Sequence, residues 1–327
     1  MIKKFFVVFV VFSLLGAAAM TFWSHLPIIG VNDPPIEFEI KSGSGVNSST
    51  RQIAAAGVPV DPTLLAILAR LTGKSNRLKA GHYELKPGTT PLALINQLIR
   101  GEFAQEALSI IEGWTFHQMR QAIAAHPALK HDTLALTDQE LLAKITTEYK
   151  QPEGLFAPDT YLFAKGASDL QIYKQAYALM LKRLDDEWAR RNPMVPYKSR
   201  YEALIMASIV EKETGQKTER DMVAAVFVNR LKKGMLLQTD PTVIYGMGDK
   251  YQGNIRKRDL ETDTPYNTYT RTGLPPTPIS LPGTASIAAA LNPANSNVLY
   301  FVARGNGTSE FSNNLNDHNR AVNKYQR

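Results

Sequence analysis

The 327-residue sequence contains no cysteine. A disulfide framework, a cysteine-ligated metal and a thiol nucleophile are therefore excluded. The six histidines are scattered along the chain, and no His-x-x-x-His pair places two metal ligands on one face of a helix. The sequence therefore predicts neither a metal site nor a cofactor.

Motifs of several common enzyme classes are also absent. There is no Gly-x-Ser-x-Gly turn, which argues against an α/β-hydrolase. There is neither a Walker A loop nor a dinucleotide-binding fingerprint. Nucleotide-dependent chemistry therefore has no support in the sequence.

Positive charge is only weakly in excess over negative charge. Lys and Arg number 37 against 30 Asp and Glu, and beyond short pairs such as Lys232-Lys233 no basic block stands out. A nucleic-acid-binding protein would usually cluster its basic residues on one element, with aromatic residues between them. The composition indicates a solvated, mildly basic surface and no nucleic-acid partner, with an anionic polymer as the alternative ligand.

The N-terminus contains the one long apolar run. No charged residue occurs in the 19 positions 5–23, a length close to the roughly 20 residues that span a bilayer as a helix. Lys3 and Lys4 precede the run, so the positive-inside tendency leaves the N-terminus in the cytoplasm and the rest of the chain outside. We therefore predict a cytoplasmic tip and transmembrane anchor at 1–26. The small residues at 16–19 leave a cleaved signal peptide as the alternative, although its apolar region would usually be shorter.

The next part of the chain, 30–105, has the pattern of a small α+β module. Apolar residues alternate with polar ones in its first strand, and Asp-Pro and Thr-Pro pairs begin two of its helices. The pattern predicts, in order, a strand, two helices, a strand and a helix: 36–40, 48–57, 61–73, 81–85 and 90–101. This order resembles the LysM type of glycan-binding module.

The remainder, 106–327, is predicted to be a larger mixed α+β domain in which helices predominate. Loops are predicted at 152–166 and from 241 to the helix at 286, and Thr218 with Asp221 forms a predicted capping box. The predicted helices and strands are 107–111, mainly helix over 115–149, 170–192, 199–214, 218–234, 286–291 and 298–303.

Glu211 has an unusual place in the predicted helix 199–214. Leu204, Ala207, Ser208 and Glu211 share one helical face, so the carboxyl is aligned with apolar and small residues. It also lies in the last turn before Gly215, where the helix dipole is negative. Desolvation and the dipole both favour the protonated carboxyl that a general acid needs. The alternative is an ion pair with a Lys or Arg from another element.

The loop 266–269, with the sequence YNTY, has two interpretations. Aromatic faces and hydrogen-bonding side chains together are typical of sugar-binding sites. The alternative is a packed turn in which the Tyr rings fill gaps.

Several segments together resemble one enzyme family. The segments are EGWT (112–115), PEGLFAPDTY (152–161), ASIVEKET (207–214), VNRL (228–231), LQTDPT (237–242), YNTY (266–269), GLPPTPI (273–279) and DHN (317–319). Their order and spacing resemble the endolytic murein transglycosylase family, also called MltG or YceG-like proteins, over nearly the whole chain after the anchor. Ser309 and Asn313 stand where many members have His and Thr, so no role is carried over to that loop.

The resemblance implies a membrane-anchored lytic transglycosylase that cleaves within peptidoglycan strands outside the cytoplasm, with 106–327 as its catalytic domain. Glu211 matches the family's catalytic residue. The residues implied to line the substrate cleft are Glu213, Gln238, Asp240, Tyr266, Asn267 and Tyr269. The implied partners are peptidoglycan strands and, near the inner membrane, the wall-synthesis machinery.

Two rival functions remain beside this one. A muramidase on the same fold would hydrolyse the same bond, with Glu213 or Asp240 as a second carboxylate. A non-catalytic scaffold would bind glycan through the 30–105 module and would not need Glu211.

Overall fold

The computed structural model describes residues 2–214 and 216–326. Gly215, the predicted end of the Glu211 helix, lies outside the described residues, as do the two terminal residues. The chain forms two compact units, Met1–Ala107 with Leu162–Ala167, and Leu108–Tyr161 with Ser168–Arg327. The division after residue 107 lies near the predicted domain border at 105/106. The first unit also includes the short later segment Leu162–Ala167. The predicted domains remain predictions.

The first unit begins with the apolar helix α1 (Ile2–Ser24). Large side chains such as Phe5 and Phe9 are exposed along it, and Lys3–Ser24 is long and apolar enough to cross a membrane. A membrane anchor and a signal sequence near the N-terminus share these features. The helix is therefore compatible with both interpretations of 1–26.

The remaining elements of this unit follow the predicted order of strand, helix, helix, strand and helix. They are β1 (Ile36–Ile40), α2 (Val46–Ala55), α3 (Pro62–Leu71), β2 (Gly81–Leu85) and α4 (Pro91–Arg100). The two strands pair antiparallel, and Phe38 stacks on its partner Tyr83. The Asp61 carboxylate accepts hydrogen bonds from the first backbone N–H groups of α3, which explains where that helix starts.

The second unit is mainly helical and contains short two-stranded sheets. The further elements are β3 (Gln105–Ser109), α5 (Phe116–Ala125), α6 (Asp138–Ala143), β4 (Thr160–Ala164), α7 (Asp169–Ala189), α8 (Arg200–Glu213), α9 (Arg220–Lys232), α10 (Asp240–Met247), α11 (Lys257–Glu261), α12 (Thr284–Leu291), β5 (Tyr300–Ala303), β6 (Ser309–Ser312) and α13 (Leu315–Tyr325). Strand β3 pairs with β4. Strands β5 and β6 form an antiparallel pair. The mixed α+β class is confirmed.

Several sequence predictions are wrong in this unit. The region 241–285, predicted as loop, contains α10 and α11, and the predicted loop 152–166 contains β4. These elements are short, and Pro or Gly residues within or beside them resemble turn signals. The predicted capping box is also absent, because Thr218 lies in a 3₁₀ turn (Lys217–Glu219) and Glu219 is the N-cap of α9.

Helix α8 forms the centre of the second unit. Every residue from 203 to 210 is buried, and α12, α9 and α7 pack around it. Burying a side chain such as Leu204 or Ile209 stabilises the fold by about 1.5–3 kcal/mol. Ala203 and Ala207 are fully buried in this packing. This packing fixes the C-terminal turn of α8, which carries Glu211.

Candidate active site

Glu211 is held at the end of α8 with its side chain only 8% exposed. Its Oε2 accepts a hydrogen bond of 2.9 Å from the backbone N–H of Gly283. Its Oε1 lies 3.7 Å from Nη2 of Arg220, a buried side chain of α9. The structure therefore combines the two sequence interpretations, because Glu211 lies on the buried face and also faces a cation from another element.

The segment 279–283 closes one side of this site. Ser208 Oγ accepts a hydrogen bond of 3.0 Å from the Ile279 N–H, and this fixes the segment against α8. Leu281 exchanges backbone hydrogen bonds with Gly113 and Trp114. The EGWT segment and the turn at Gly283 are thereby held beside the Glu211 carboxyl.

Glu112 is a second carboxylate beside Gly283 that sequence analysis did not select. A Cβ built on Gly283 would lie 1.9 Å from Glu112 Oε1, so glycine permits this close approach. Gly283 therefore has the Glu112 carboxylate against its Cα and the Glu211 carboxylate on its N–H. Glu112 is the first residue of the EGWT motif, so the sequence marked its position, but nothing in the motif indicated a role for this carboxylate.

Glu213 lies two residues after Glu211 in α8 and is also largely removed from solvent. Burial raises the pKa of Glu213, and the nearby charge of Asp240 adds to this. A hydrogen bond of 2.5 Å from Thr239 Oγ1 to Glu213 Oε1 acts in the opposite direction. Asp240 in turn accepts a hydrogen bond of 2.5 Å from the Tyr269 hydroxyl, so these side chains form one connected polar group.

Gln238 has the only positive φ among non-glycine residues in the described part of the chain, at 52°. A left-handed conformation costs such a residue about 1–3 kcal/mol and is common at functional sites. Its Oε1 accepts a hydrogen bond from Arg230, and its N–H donates to the Thr268 carbonyl. The protein therefore holds Gln238 in this conformation from both sides.

Asn267 does not reach the site, contrary to the prediction that it contacts substrate. Its side chain is fully buried, and its amide group donates to the Asp259, Leu260 and Thr262 carbonyls. Its Oδ1 accepts a hydrogen bond from the Tyr269 N–H. With its hydrogen-bonding groups occupied in this way, Asn267 shapes the YNTY loop from inside.

Tyr266 lines a neighbouring cavity of about 630 Å³. Its ring packs edge to face on Tyr245 at a centroid distance of 5.0 Å, and its hydroxyl hydrogen-bonds with Thr277. The same cavity contains the buried Glu153, which accepts hydrogen bonds from the Phe116 N–H and the Tyr245 hydroxyl. Burial raises the pKa of Glu153 to about 7.

The chain is similar to known proteins over most of its length. The model of the YceG-like family matches residues 38–324. The chain belongs to this family. A relative from Bacillus subtilis (strain 168), named endolytic murein transglycosylase, is 33% identical over 89% of this chain and 84% of its own length. A protein of the same name from Streptococcus pneumoniae serotype 2 (strain D39 / NCTC 7466) is 29% identical over 98% of this chain and 65% of its own.

A solved structure also resembles the chain. The crystal structure of a yceG-like protein from Listeria monocytogenes aligns with a TM-score of 0.56 at 32% sequence identity. The alignment covers 88% of this chain and 98% of that one.

Within this family member, the structure brings most of the expected site residues together. Glu211 and Glu213 share the last turn of α8, and Thr239 joins Glu213 to the Gln238–Asp240 segment. Tyr269 is attached through Asp240, whereas Tyr266 lies in the adjacent cavity. In the part of the chain that the structure describes, no group of three or more His, Asp or Glu side chains is arranged to hold a metal ion.

Proposed function

We propose that the chain is an endolytic lytic transglycosylase of peptidoglycan, with Glu211 as its general acid and base. It would cut the bond between N-acetylmuramic acid and N-acetylglucosamine and leave a 1,6-anhydro end, which contributes to ending nascent strands. The observation that supports this most is the buried Glu211 carboxyl, held by Gly283 and Arg220 at the family's ASIVEKET motif. Relatives named endolytic murein transglycosylase support the reaction class.

In the proposed mechanism, the protonated Glu211 carboxyl first gives its proton to the glycosidic oxygen as that bond breaks. Positive charge develops at the anomeric carbon of the muramic sugar. The Glu211 carboxylate is stabilised by Arg220 and by the Gly283 N–H. It then takes the proton of the C6 hydroxyl, whose oxygen bonds to the anomeric carbon and closes the anhydro ring. No water is consumed, and Glu211 ends protonated again.

A muramidase is the rival function for which the site offers a specific candidate residue. It would need a second carboxylate about 5–9 Å from the first. Glu112 is the best candidate, because it is exposed and lies against Gly283. Glu213 is less suitable because burial raises its pKa and favours the neutral form.

The N-terminal third of the chain completes the proposal. Helix α1 would cross the inner membrane once, with Lys3 and Lys4 in the cytoplasm and the chain after α1 on the periplasmic side. The strand-helix-helix-strand order of β1, α2, α3 and β2 supports a LysM-like module that binds glycan. An anchored enzyme of this kind would act beside peptidoglycan synthases.

The test is mass spectrometry of purified glycan strands after incubation with wild type or Glu211→Gln. We expect products lighter by one water than hydrolysis products, and we expect none from the variant. Glu202→Gln, at the other end of α8, is the matched control and should leave the products unchanged. Reducing-end products of full mass would indicate a muramidase. Strand binding without any product from wild type would indicate a scaffold.

A further inference from the structure

A second cavity, of about 380 Å³, lies along α10 in the same compact unit as Glu211. Its lining combines the apolar side chains Val243 and Met247 with the cationic Lys250, Arg256 and Arg258. This combination differs from the cavity at Tyr266, whose charged groups include Glu153 and other carboxylates. A ligand that fits the second cavity would carry negative charge next to a small apolar group.

The positive charge in this cavity is only partly neutralised. Arg258 lies 3.7 Å from the Asp259 carboxylate, which also lines the cavity. Among residues 2–214 and 216–326, no carboxylate forms an ion pair with the side chain of Lys250 or Arg256, although the Arg256 backbone N–H donates a hydrogen bond of 2.8 Å to Asp259. The lining therefore has three cations against one anion, and electrostatics favours an anionic ligand.

We propose that this cavity binds the C-terminal carboxylate of the peptide stem carried by the muramic sugar at the cleavage site. The carboxylate would pair with Lys250 and Arg256, while the methyl group of a terminal alanine would contact Val243 and Met247. Arginine is well suited to carboxylates because its donors match the two oxygens. The inference rests on the proposed function and adds that the enzyme recognises stem peptides.

The dimensions of α10 agree with this assignment. Asp240, Val243 and Met247 are spaced by three and four positions, so they lie on one face of the helix. At 1.5 Å per residue, Met247 is about 10 Å from Asp240, which is close to Glu213. An extended stem of four residues spans roughly 13 Å. A stem attached to a sugar bound beside Glu213 and Asp240 can therefore reach the cavity.

The first test compares the full-length protein on two substrates, strands that carry stems and strands stripped of them by an amidase. The measured quantity is the ratio of initial cleavage rates, stem-bearing over stripped. Because hydrogen bonds between charged groups are stronger than neutral ones, we expect Lys250→Ala/Arg256→Ala to lower this ratio about tenfold or more. Lys257→Ala is the matched control, since this lysine is exposed, pairs with Glu261 and does not line the cavity.

The second test measures binding without catalysis, using Glu211→Gln and calorimetry. The probes are diacetyl-Lys-D-Ala-D-Ala and the same peptide with a C-terminal amide. We expect the carboxylate peptide to bind about tenfold or more tightly than the amide, and Lys250→Ala/Arg256→Ala to weaken only the carboxylate peptide. Equal binding of both peptides, or an equal loss with Lys257→Ala, would overturn the inference. If wild type cleaves neither substrate, the proposed function fails, while peptide binding still decides the stem site.

Discussion

Replacing Glu153 with Gln should reduce the loss in the free energy of unfolding that the protein shows as the pH rises from 4 to 8. Burial raises the pKa of Glu153 from 4.5 to about 7. The folded state therefore holds this proton more tightly than the unfolded chain does. The stabilisation is fully present below pH 4.5 and is lost as the pH rises through about 7. A shift of about 2.5 pKa units corresponds to about 3 kcal/mol between pH 4 and pH 8.

The glutamine variant keeps most of the local structure. Its side-chain oxygen can still accept from the Phe116 N–H, and its amide can donate to the Tyr245 hydroxyl. The assay is urea unfolding of both proteins in the same detergent from pH 4 to pH 8. The wild type should lose about 3 kcal/mol more than Glu153→Gln across this range. Curves that stay parallel would refute the buried, proton-binding carboxyl.

Three further variants test the site directly. Asn267→Ala should lower the free energy of unfolding by at least about 3 kcal/mol, because several buried hydrogen bonds are lost; a stable variant with only a higher KM would contradict this. Arg220→Met should reduce kcat roughly 100-fold in strand-cleavage assays, with KM little changed, because the Glu211 carboxylate loses its cation; an unchanged kcat would oppose that role. Glu112→Gln should retain cleavage within about tenfold, since the proposed mechanism uses one carboxyl, whereas inactivation as complete as in Glu211→Gln would favour a hydrolase.

The first unit was the more predictable part of the fold. Its strands alternate in polarity, and Asp61 and Thr90 cap helices through side chains that the sequence displays directly. In the second unit, α10 has only eight residues and its interior includes Pro241 and Gly246. Such a segment is a helix because of what it packs against, and that information is not local.

The same distinction applies to the candidate site. Helical phase placed Glu211 on the buried face, since only local spacing was needed. Arg220 and Gly283 come from other parts of the chain, so their contacts with Glu211 could not be derived from spacing. At Asn267 the family motif suggested one role and the structure indicates another. A residue in a family motif was expected to bind substrate, although its buried hydrogen bonds give it a structural role.

The two carboxyls at the end of α8 have complementary environments. Residues two apart on a helix point about 200° apart, so Glu211 and Glu213 face different partners. Arg220 and the Gly283 N–H stabilise negative charge on Glu211, whereas burial raises the pKa of Glu213 and favours its neutral form. The more readily Glu213 stays protonated, the less it repels the carboxylate that Glu211 becomes in the proposed mechanism. The raised pKa of Glu213 therefore agrees with a mechanism in which one residue, Glu211, serves as both acid and base.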